Sequence, residues 1–524
     1  GGGGGGSPVV SLLPDSGTGG TPPTTTEPAT PQTPGEDDDA LRNAPWAEGV
    51  FRTASLYKDR CAAPRTGNDY FGVPFKDKPG RTLDENNWLR SWINDTYLWY
   101  AEVPDLDPAR YATTDYFDLL KTSAVTPSGI PKDQFHFTYP TDAWNALDTG
   151  GVEVGYGAHW AMIQAWPPRH LRVAYTEPGS PAAQPGSDLQ RGALVLKING
   201  VDFVNDQSDE GLAVLNAGMF PSAPGVSTRF TVLDIGSTVP RDITLVSAPV
   251  TSTPVQNVRS FRNAAGRMVG YLQFNDHIAT AEVQLAQAIE QLRAVQPDEL
   301  VVDLRYNGGG YLSMASQLAF MVAGAQRTDG KVFMTEVFNG KQPGRNPVTG
   351  SPSEPFPFLS TGIGFSLPAG QPLSSLNLRR VYVLSGPDTC SASEAFINGL
   401  RGIDIEVIQV GTVTCGKPYG FYPEDNCGTT YFSVQMRAEN AKGFGDYADG
   451  FAPTCEAWDD LRYPLGDPRE ERLAAALTHQ VTGACPPLPA GRQSLAKSAV
   501  GRPTPLLRKP EALRNNIMTR RRGV

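Results

Sequence analysis

The sequence predicts a multidomain α/β protein, and three observations carry that expectation. The chain has 524 residues, too many for one ordinary domain, and at 40% hydrophobic it can bury several cores. Its texture shifts along the chain, from a Gly/Pro/Thr-rich start through an aromatic helix-prone stretch to short strands with turns. From about residue 251, apolar strands alternate with amphipathic helices, the pattern of a largely parallel sheet covered on its faces.

Residues 1–45 open with "GGGGGGSPVV" and continue "GTGGTPPTTTEPATPQTPGEDDDA", which cannot bury enough apolar surface to fold and is expected to be a disordered tether. A lipid-anchored, exported protein whose signal and lipidated cysteine had been removed would begin in this way, and so would a cloning linker. Residues 46–150 are expected to form a helical domain. In "DENNWLRSWINDTYLWYAEVP", Trp88, Leu89, Trp92, Ile93 and Tyr97 fall near helical spacing, with Asp84 as the expected N-cap.

Residues 151–250 read as a β-rich domain. A strand at Leu171–Tyr175 precedes "PGSPA", and "RGALVLKING" is a strand closed by an Asn-Gly turn. In that order these pieces resemble a PDZ domain of the bacterial protease type. The resemblance implies that Gly155, Tyr156, Gly157 and Ala158, in "GYGAHW", bind a peptide's terminal carboxylate through backbone N–H groups.

Residues 251–485 supply the α/β core. The strands are "MVGYLQF", "DELVVDL", "RRVYVLSG" and "IEVIQVG", and "TAEVQLAQAIEQLRAV" and "YLSMASQLAFMVAG" are helices. Residues 486–524 carry many Lys and Arg against one acid, Glu511, and read as a basic disordered tail.

Composition excludes several classes. A formal charge of -10 gives no sign of nucleic-acid binding. No run of eighteen apolar residues marks a membrane span, and no cleavable signal peptide is evident. The six cysteines and five histidines show no zinc-like spacing, so no metal or cofactor is expected.

Three motifs in the core share one chemistry. "VVDLRYNGGG" is a strand running into glycines whose exposed N–H groups suit an oxyanion, although such loops also bind phosphates. "TCSASEAF" sets Ser391 between a strand and a helix start, where nucleophiles are presented and where ordinary N-caps also occur. "VGTVTCGKPYG" sets Lys417 after the next strand, and one helix with one returning strand brings it back toward Ser391. No histidine lies in the serine or lysine segment, and a serine needs a base, a role a lysine can fill. It does so only when neutral, which requires a fall from about 10.4 toward 7–8, or roughly 4 kcal/mol against the charged form. Val410, Val413, Tyr419 and Phe421 are the expected apolar pocket.

"DLRYNGGG", "SASE" and "CGKP", with "DGFAPTC" and "PLGDPREERLAAAL" further on, resemble the S41 peptidases, the C-terminal processing or tail-specific protease family. The resemblance runs from about Asp84 to His479. It implies a crotonase-like α/β core with a Ser-Lys dyad, Ser391 as nucleophile and Lys417 as general base. It further implies an oxyanion site made by the backbone N–H groups of Gly309 and Ala392. Pro418 replaces the family's glycine after the lysine, Phe421 its lysine-orienting glutamine, and Thr454 its late aspartate.

The expected function is therefore a serine endopeptidase that recognises protein or peptide C-termini in the bacterial cell envelope, on the periplasmic side, with a lipid anchor. A second reading is an inactive peptide-binding scaffold working through the PDZ-like domain. A third is a thiol enzyme using Cys390 or Cys415. Of the fifteen full pairings six cysteines allow, Cys427–Cys455 is expected across a hairpin, with Cys390–Cys415 as the second candidate. Cys390 and Cys415 can equally be small buried residues.

Overall fold

A computed structural model of the chain describes residues 36–491. Residues 1–35 of the expected tether and 492–524 of the expected tail lie outside the described residues. Within the tether as drawn from sequence, Glu36–Arg42 is a short helix.

The N-terminal region is built on α1 (Thr82–Thr96), whose Trp88, Leu89, Trp92 and Ile93 are buried on one face. Asp84 does not occupy the N-cap. Arg81 does, and Asp84, three residues on, accepts the Arg81 N–H at 2.9 Å from inside the first turn. The core here is not closed by residues 46–150 alone. Tyr419, Phe421, Tyr431, Phe432 and Val434 complete it, and the strand Thr429–Phe432 pairs with Phe137–Pro140. Helix α2 (Thr141–Gly150) ends at Gly151, which takes φ +66° as a left-handed cap.

The next unit enters on β1 (Val152–Gly155). It holds the antiparallel strands β2 (Ala158–Gln164), β3 (His170–Thr176), β4 (Leu194–Ile198), β5 (Ser227–Leu233) and β6 (Arg241–Val246), and leaves on β7 (Ala248–Thr251). Strands β1 and β7 pair with each other as a stalk. The sheet order is β6-β5-β4-β3-β2, so β2 is an edge strand. The Asn-Gly turn forms as expected, with Asn199 and Gly200 both at positive φ. One helix, α3 (Asp209–Met219), buries Leu212, Leu215 and Met219 in this unit's core.

The central sheet follows the alternation read from sequence. Strands β8 (Val255–Arg262), β9 (Met268–Phe274), β10 (Glu299–Asp303), β11 (Arg380–Ser385), β12 (Glu406–Gly411) and β13 (Cys455–Glu456) lie in that order. Only the β8–β9 pair is antiparallel. Successive side chains divide between two cores. Leu272, Val302 and Val383 face α4 (Ala281–Arg293), α5 (Leu312–Ala323) and α6 (Ala392–Gly402), while Tyr271, Val301 and Tyr382 face α7 (Glu471–Thr482). The loops at the carboxyl ends of β9, β10, β11 and β12 converge on one edge of the sheet, where the site lies.

The expected Cys427–Cys455 pairing does not occur. Cys427 sits in the turn before Thr429–Phe432, which docks on the N-terminal region and bonds to Cys61. Cys455 begins β13 beside β12 and bonds to Cys485, beyond α7. The third disulfide joins Cys390 to Cys415, so neither sulfur is a free thiol for thiol catalysis.

Candidate active site

Strand β11 delivers Ser391. The chain turns through Gly386–Thr389, and α6 begins directly after the serine. The turn is pinned to the end of β10. Thr389 Oγ1 donates to the Leu304 carbonyl at 2.8 Å, while the Cys390 N–H and Ser393 Oγ donate to the Asn307 carbonyl at 3.1 and 3.0 Å. Ser391 adopts φ 55°, ψ -113°. A side-chain-bearing residue held at such a positive φ costs on the order of 1–3 kcal/mol, so the surrounding bonds must enforce it. The side chain is buried at the helix N-terminus, where the dipole favours negative charge, and Oγ has no hydrogen-bond partner among the described residues.

Lys417 lies on the loop after β12 and is 1% exposed. Its Nζ stands 3.9 Å from the centre of the Phe421 ring and 5.1 Å from that of Phe135. The apolar wall is therefore Phe421 with Phe135, a residue of the N-terminal region. Val410, expected in this pocket, packs on the opposite side of the sheet with the α7 core.

Glu394 joins the serine turn to the lysine loop. Its Oε2 accepts the Ser391 N–H at 3.0 Å and the Lys417 N–H at 2.8 Å. Its Oε1 accepts Thr414 Oγ1 at 2.7 Å and the Gly416 N–H at 2.8 Å. Burial pushes this carboxyl above its ordinary range, and the hydrogen bonds from Thr414, Lys417, Gly416 and Ser391 pull it back. The Cys390–Cys415 bond makes the same connection covalently, with Cα atoms 5.3 Å apart. Among the described residues, Cys390, Glu394 and Cys415 form a group with metal-ligand proximity. Its sulfurs are bonded to each other and its carboxylate oxygens already accept four hydrogen bonds, so the group does not fit an ion.

The glycine loop faces the serine from β10. Gly309 approaches so closely that an added Cβ would lie 2.7 Å from Ser391 Cβ and 2.9 Å from Ala392 N, and its φ is +105°. Its N–H, expected to face an oxyanion, instead donates to Asn307 Oδ1 at 2.9 Å. The asparagine side chain folds back on the N–H two residues later, as Asn does in turns. The Ala392 N–H has no acceptor among the described residues.

Beneath the loop lies a buried charge network absent from the sequence reading. Arg305 grips Glu470 through two bonds of 2.8 and 2.9 Å and also reaches Asp303 and Asp459. Arg191, from the β3–β4 connection, donates to Asp459 at 2.7 Å and to the Tyr306 hydroxyl at 2.6 Å. Burial opposes the charge on Asp459, but Arg191 and Arg305 hold its carboxyl well below the usual range. Such a set of partners cannot be found from spacing, because the residues come from three distant segments.

The residues expected to hold a carboxylate, Gly155–Ala158, span the end of the stalk and the start of the edge strand β2. Tyr156 is buried there, its hydroxyl 2.7 Å from both the Gly218 carbonyl at the end of α3 and Thr228 Oγ1 at the start of β5. Gly157 takes φ +77°, and an added Cβ would meet Ser180 at 2.1 Å, so only glycine fits.

The fold and the site define a multidomain α/β protein with a strand–serine–helix junction facing a glycine loop and a buried lysine. Residues 268–420 match the model of peptidase family S41, and residues 84–135 match the peptidase S41 N-terminal domain. The family resemblance read from the motifs is thereby shown, and Ser391, Lys417, Glu394 and Gly309 all fall inside the first match. The chain is 32% identical over 141 residues to a carboxyl-terminal-processing protease of Synechocystis sp., covering 27% of this chain and 31% of that protein. A carboxyl-terminal-processing protease of Picosynechococcus sp. is 28% identical over 149 residues, covering 28% of this chain and 34% of that protein. The chain thus matches about a third of the length of these curated relatives. The crystal structure of a candidate S41 protease from Bacteroides fragilis is similar in fold, with TM-score 0.58 and 24% identity, over 76% of this chain and 97% of that one.

Proposed function

We propose that the chain is a serine endopeptidase of the C-terminal-processing type. Ser391 Oγ attacks the scissile carbonyl, Lys417 Nζ takes the serine proton and returns it to the leaving amine, and water hydrolyses the acyl-enzyme. The charge developing on the carbonyl oxygen meets the N-terminus of α6 and the glycine loop. One observation carries this reading: a single oxygen of Glu394 accepts the backbone N–H of both Ser391 and Lys417. A carboxylate placed to register a strained serine against a buried lysine has no evident use in a sheet that merely needs to be stable.

Protein substrates follow from what the relatives are, and the unit of residues 151–250 supplies a means of choosing them. As a PDZ-like domain it takes a peptide as an added strand along β2, with the terminal carboxylate on the N–H groups of Gly155–Ala158. Three disulfides suit an oxidising compartment, which supports a place on the periplasmic side of a bacterial envelope, held there by a lipid anchor. No helix of the described residues is long and apolar enough to cross a membrane.

The scaffold reading keeps a foothold in two facts: the Gly309 N–H is already engaged, and Ser391 Oγ has no hydrogen-bond partner among the described residues. Hydrolysis and binding of an unstructured polypeptide, measured for wild type and Ser391→Ala, separate the two. Turnover lost in Ser391→Ala with binding retained supports the peptidase. Binding without turnover in the wild type supports the scaffold. Equal binding of free-acid and C-terminally amidated peptides would remove the carboxylate role of Gly155–Ala158.

A further inference from the structure

We propose that His277 is a positioning residue for the oxyanion side of the site, acting through Asn307 to set which backbone N–H groups the glycine loop offers beside Ser391. The proposal rests on the hydrolytic reading above. His277 follows the end of β9 and is stitched to the loop. Its N–H donates to the Gly309 carbonyl at 3.0 Å, and its carbonyl accepts the Tyr311 N–H at 2.9 Å.

The imidazole is 1% exposed and packs against Phe274, with ring centres 4.4 Å apart. Its Nδ1 lies 2.9 Å from Asn307 Oδ1. The orientation of the Asn307 amide is set independently, because Nδ2 donates to the Phe274 carbonyl at 3.0 Å and Oδ1 accepts the Gly309 N–H at 2.9 Å. An oxygen in that role accepts, so the imidazole hydrogen sits on Nδ1. Nε2 is then a bare lone pair, and it has no hydrogen-bond partner among the described residues. Burial holds the ring neutral, its pKa pushed down to about 3 against the opposing hydrogen bonds from Asn307 and Gly309.

A buried acceptor without a donor is unfavourable, and a Leu or Phe would fill this space without it. What an apolar residue cannot supply is the Nδ1 hydrogen. That hydrogen and the Gly309 N–H together occupy the Asn307 oxygen, which fixes the asparagine amide and turns the Gly309 N–H inward. The N–H groups of Gly310 and Ala392 are left with no acceptor among the described residues. Asn307 also touches the other side of the site, since its carbonyl holds the Cys390 N–H and Ser393 Oγ. Removing the histidine hydrogen therefore takes away one of the three bonds that hold a side chain whose backbone supports the serine turn.

The test compares wild type with His277→Leu and with His277→Asn, whose amide N–H lies two bonds from Cβ, as imidazole Nδ1 does. Removing one oxyanion donor lowers kcat about 10²–10³-fold, and a displaced donor should cost less, about 10–100-fold for His277→Leu, with KM unchanged. His277→Asn should recover most of that loss. Undiminished kcat in His277→Leu, or equal losses in the Leu and Asn variants when both fold, would overturn the proposal. A wild type without turnover defeats the hydrolytic reading instead. The inference is then read by nitrogen NMR of the wild-type protein, which should show the Nδ1–H tautomer and a slowly exchanging Gly309 amide. An Nε2–H tautomer would overturn it whatever the activity.

Discussion

The two sides of the site are held in different ways. On the nucleophile side, Ser391 and Lys417 are locked together within the central α/β unit by the Glu394 carboxylate and the Cys390–Cys415 bond. On the oxyanion side, the glycine loop is tied outward. Tyr306 meets Arg191 from the 151–250 unit, and the Tyr311 hydroxyl donates to Asp148 of the N-terminal region. Tyr175 of β3 also stacks on Tyr306, ring centres 5.8 Å apart. A displacement of the 151–250 unit thus reaches the glycine loop before it reaches the serine, whereas the N-terminal region touches both sides, through Tyr311 and through Phe135 beside Lys417. If the 151–250 unit influences activity, it does so through oxyanion geometry.

Glu394→Ala should have the largest effect, because it attacks the nucleophile side at its centre. It leaves two loop N–H groups, the Ser391 N–H and Thr414 Oγ1 without their acceptor. At about 1–3 kcal/mol for each buried unsatisfied group, partly relieved by water, a loss of about 3–5 kcal/mol is expected, with turnover abolished. Denaturant melts and a hydrolysis assay check both. Glu394→Gln keeps an acceptor oxygen and should be milder; equal damage from both would mean the charge, not the hydrogen-bond pattern, matters.

Arg191→Met breaks the outward tie. It leaves Asp459 with Arg305 and the Tyr306 hydroxyl as its direct partners, so a loss of about 2–4 kcal/mol is expected, somewhat below the cost of stripping a buried pair completely. The comparison sharpens if acylation by a small activated ester falls together with kcat in a variant that stays folded, because both reactions develop charge on the oxyanion side. Unchanged ester acylation in the folded variant would show that the tie through Arg191 does not set oxyanion geometry.

Cys390→Ser with Cys415→Ser removes the covalent half of the nucleophile lock. The two cysteines are 25 residues apart, so the chain-entropy account gives about 3 kcal/mol, less any relaxation. Because Glu394 remains, turnover should drop only severalfold, as read in steady-state assays. Complete loss of turnover in a folded double variant would rank the disulfide above the carboxylate.

The smallest expected effect is the pH response of Asp148. Desolvation pushes its carboxyl up to about 6, against the Tyr311 hydrogen bond that lowers it. A carboxyl raised on folding favours the protonated native state. Its contribution to stability is full below the ordinary carboxylate range and is lost as pH rises through about 6. Asp148→Asn should flatten the stability curve between about pH 4 and 7, and an unchanged slope in thermal melts would show that Asp148 does not titrate there.

Much of this arrangement was legible because the signals are local. Val301 and Val302 in an unbroken apolar run announce a strand buried on both faces, and "SASE" directly after "VYVLSG" announces a serine at a helix start. What stayed hidden depends on long-range docking. The role of Glu394 rests on N–H groups from a loop after the next strand, and main-chain donors carry no residue-type signature. Phe135 reaches Lys417 only because the N-terminal region packs on residues 419–434. The same docking sends Cys427 to Cys61, 366 positions away, where a local hairpin pointed to Cys455. The bond from the Gly309 N–H to Asn307 was hidden because a glycine loop shows that N–H groups are accessible, not that an adjacent asparagine accepts from one.

The central claim is that Ser391 forms the acyl-enzyme with Lys417 as its base. The direct measurement mixes the protein with an activated peptide ester, quenches in acid at intervals across pH 6–10, and locates the acyl group by peptide mass mapping. The account predicts acylation of Ser391 in the wild type, at a rate rising with pH as the lysine amine becomes available, and a rate lower by orders of magnitude in Lys417→Ala. An acyl group on any other residue, or an undiminished Ser391 acylation rate in Lys417→Ala, would contradict it.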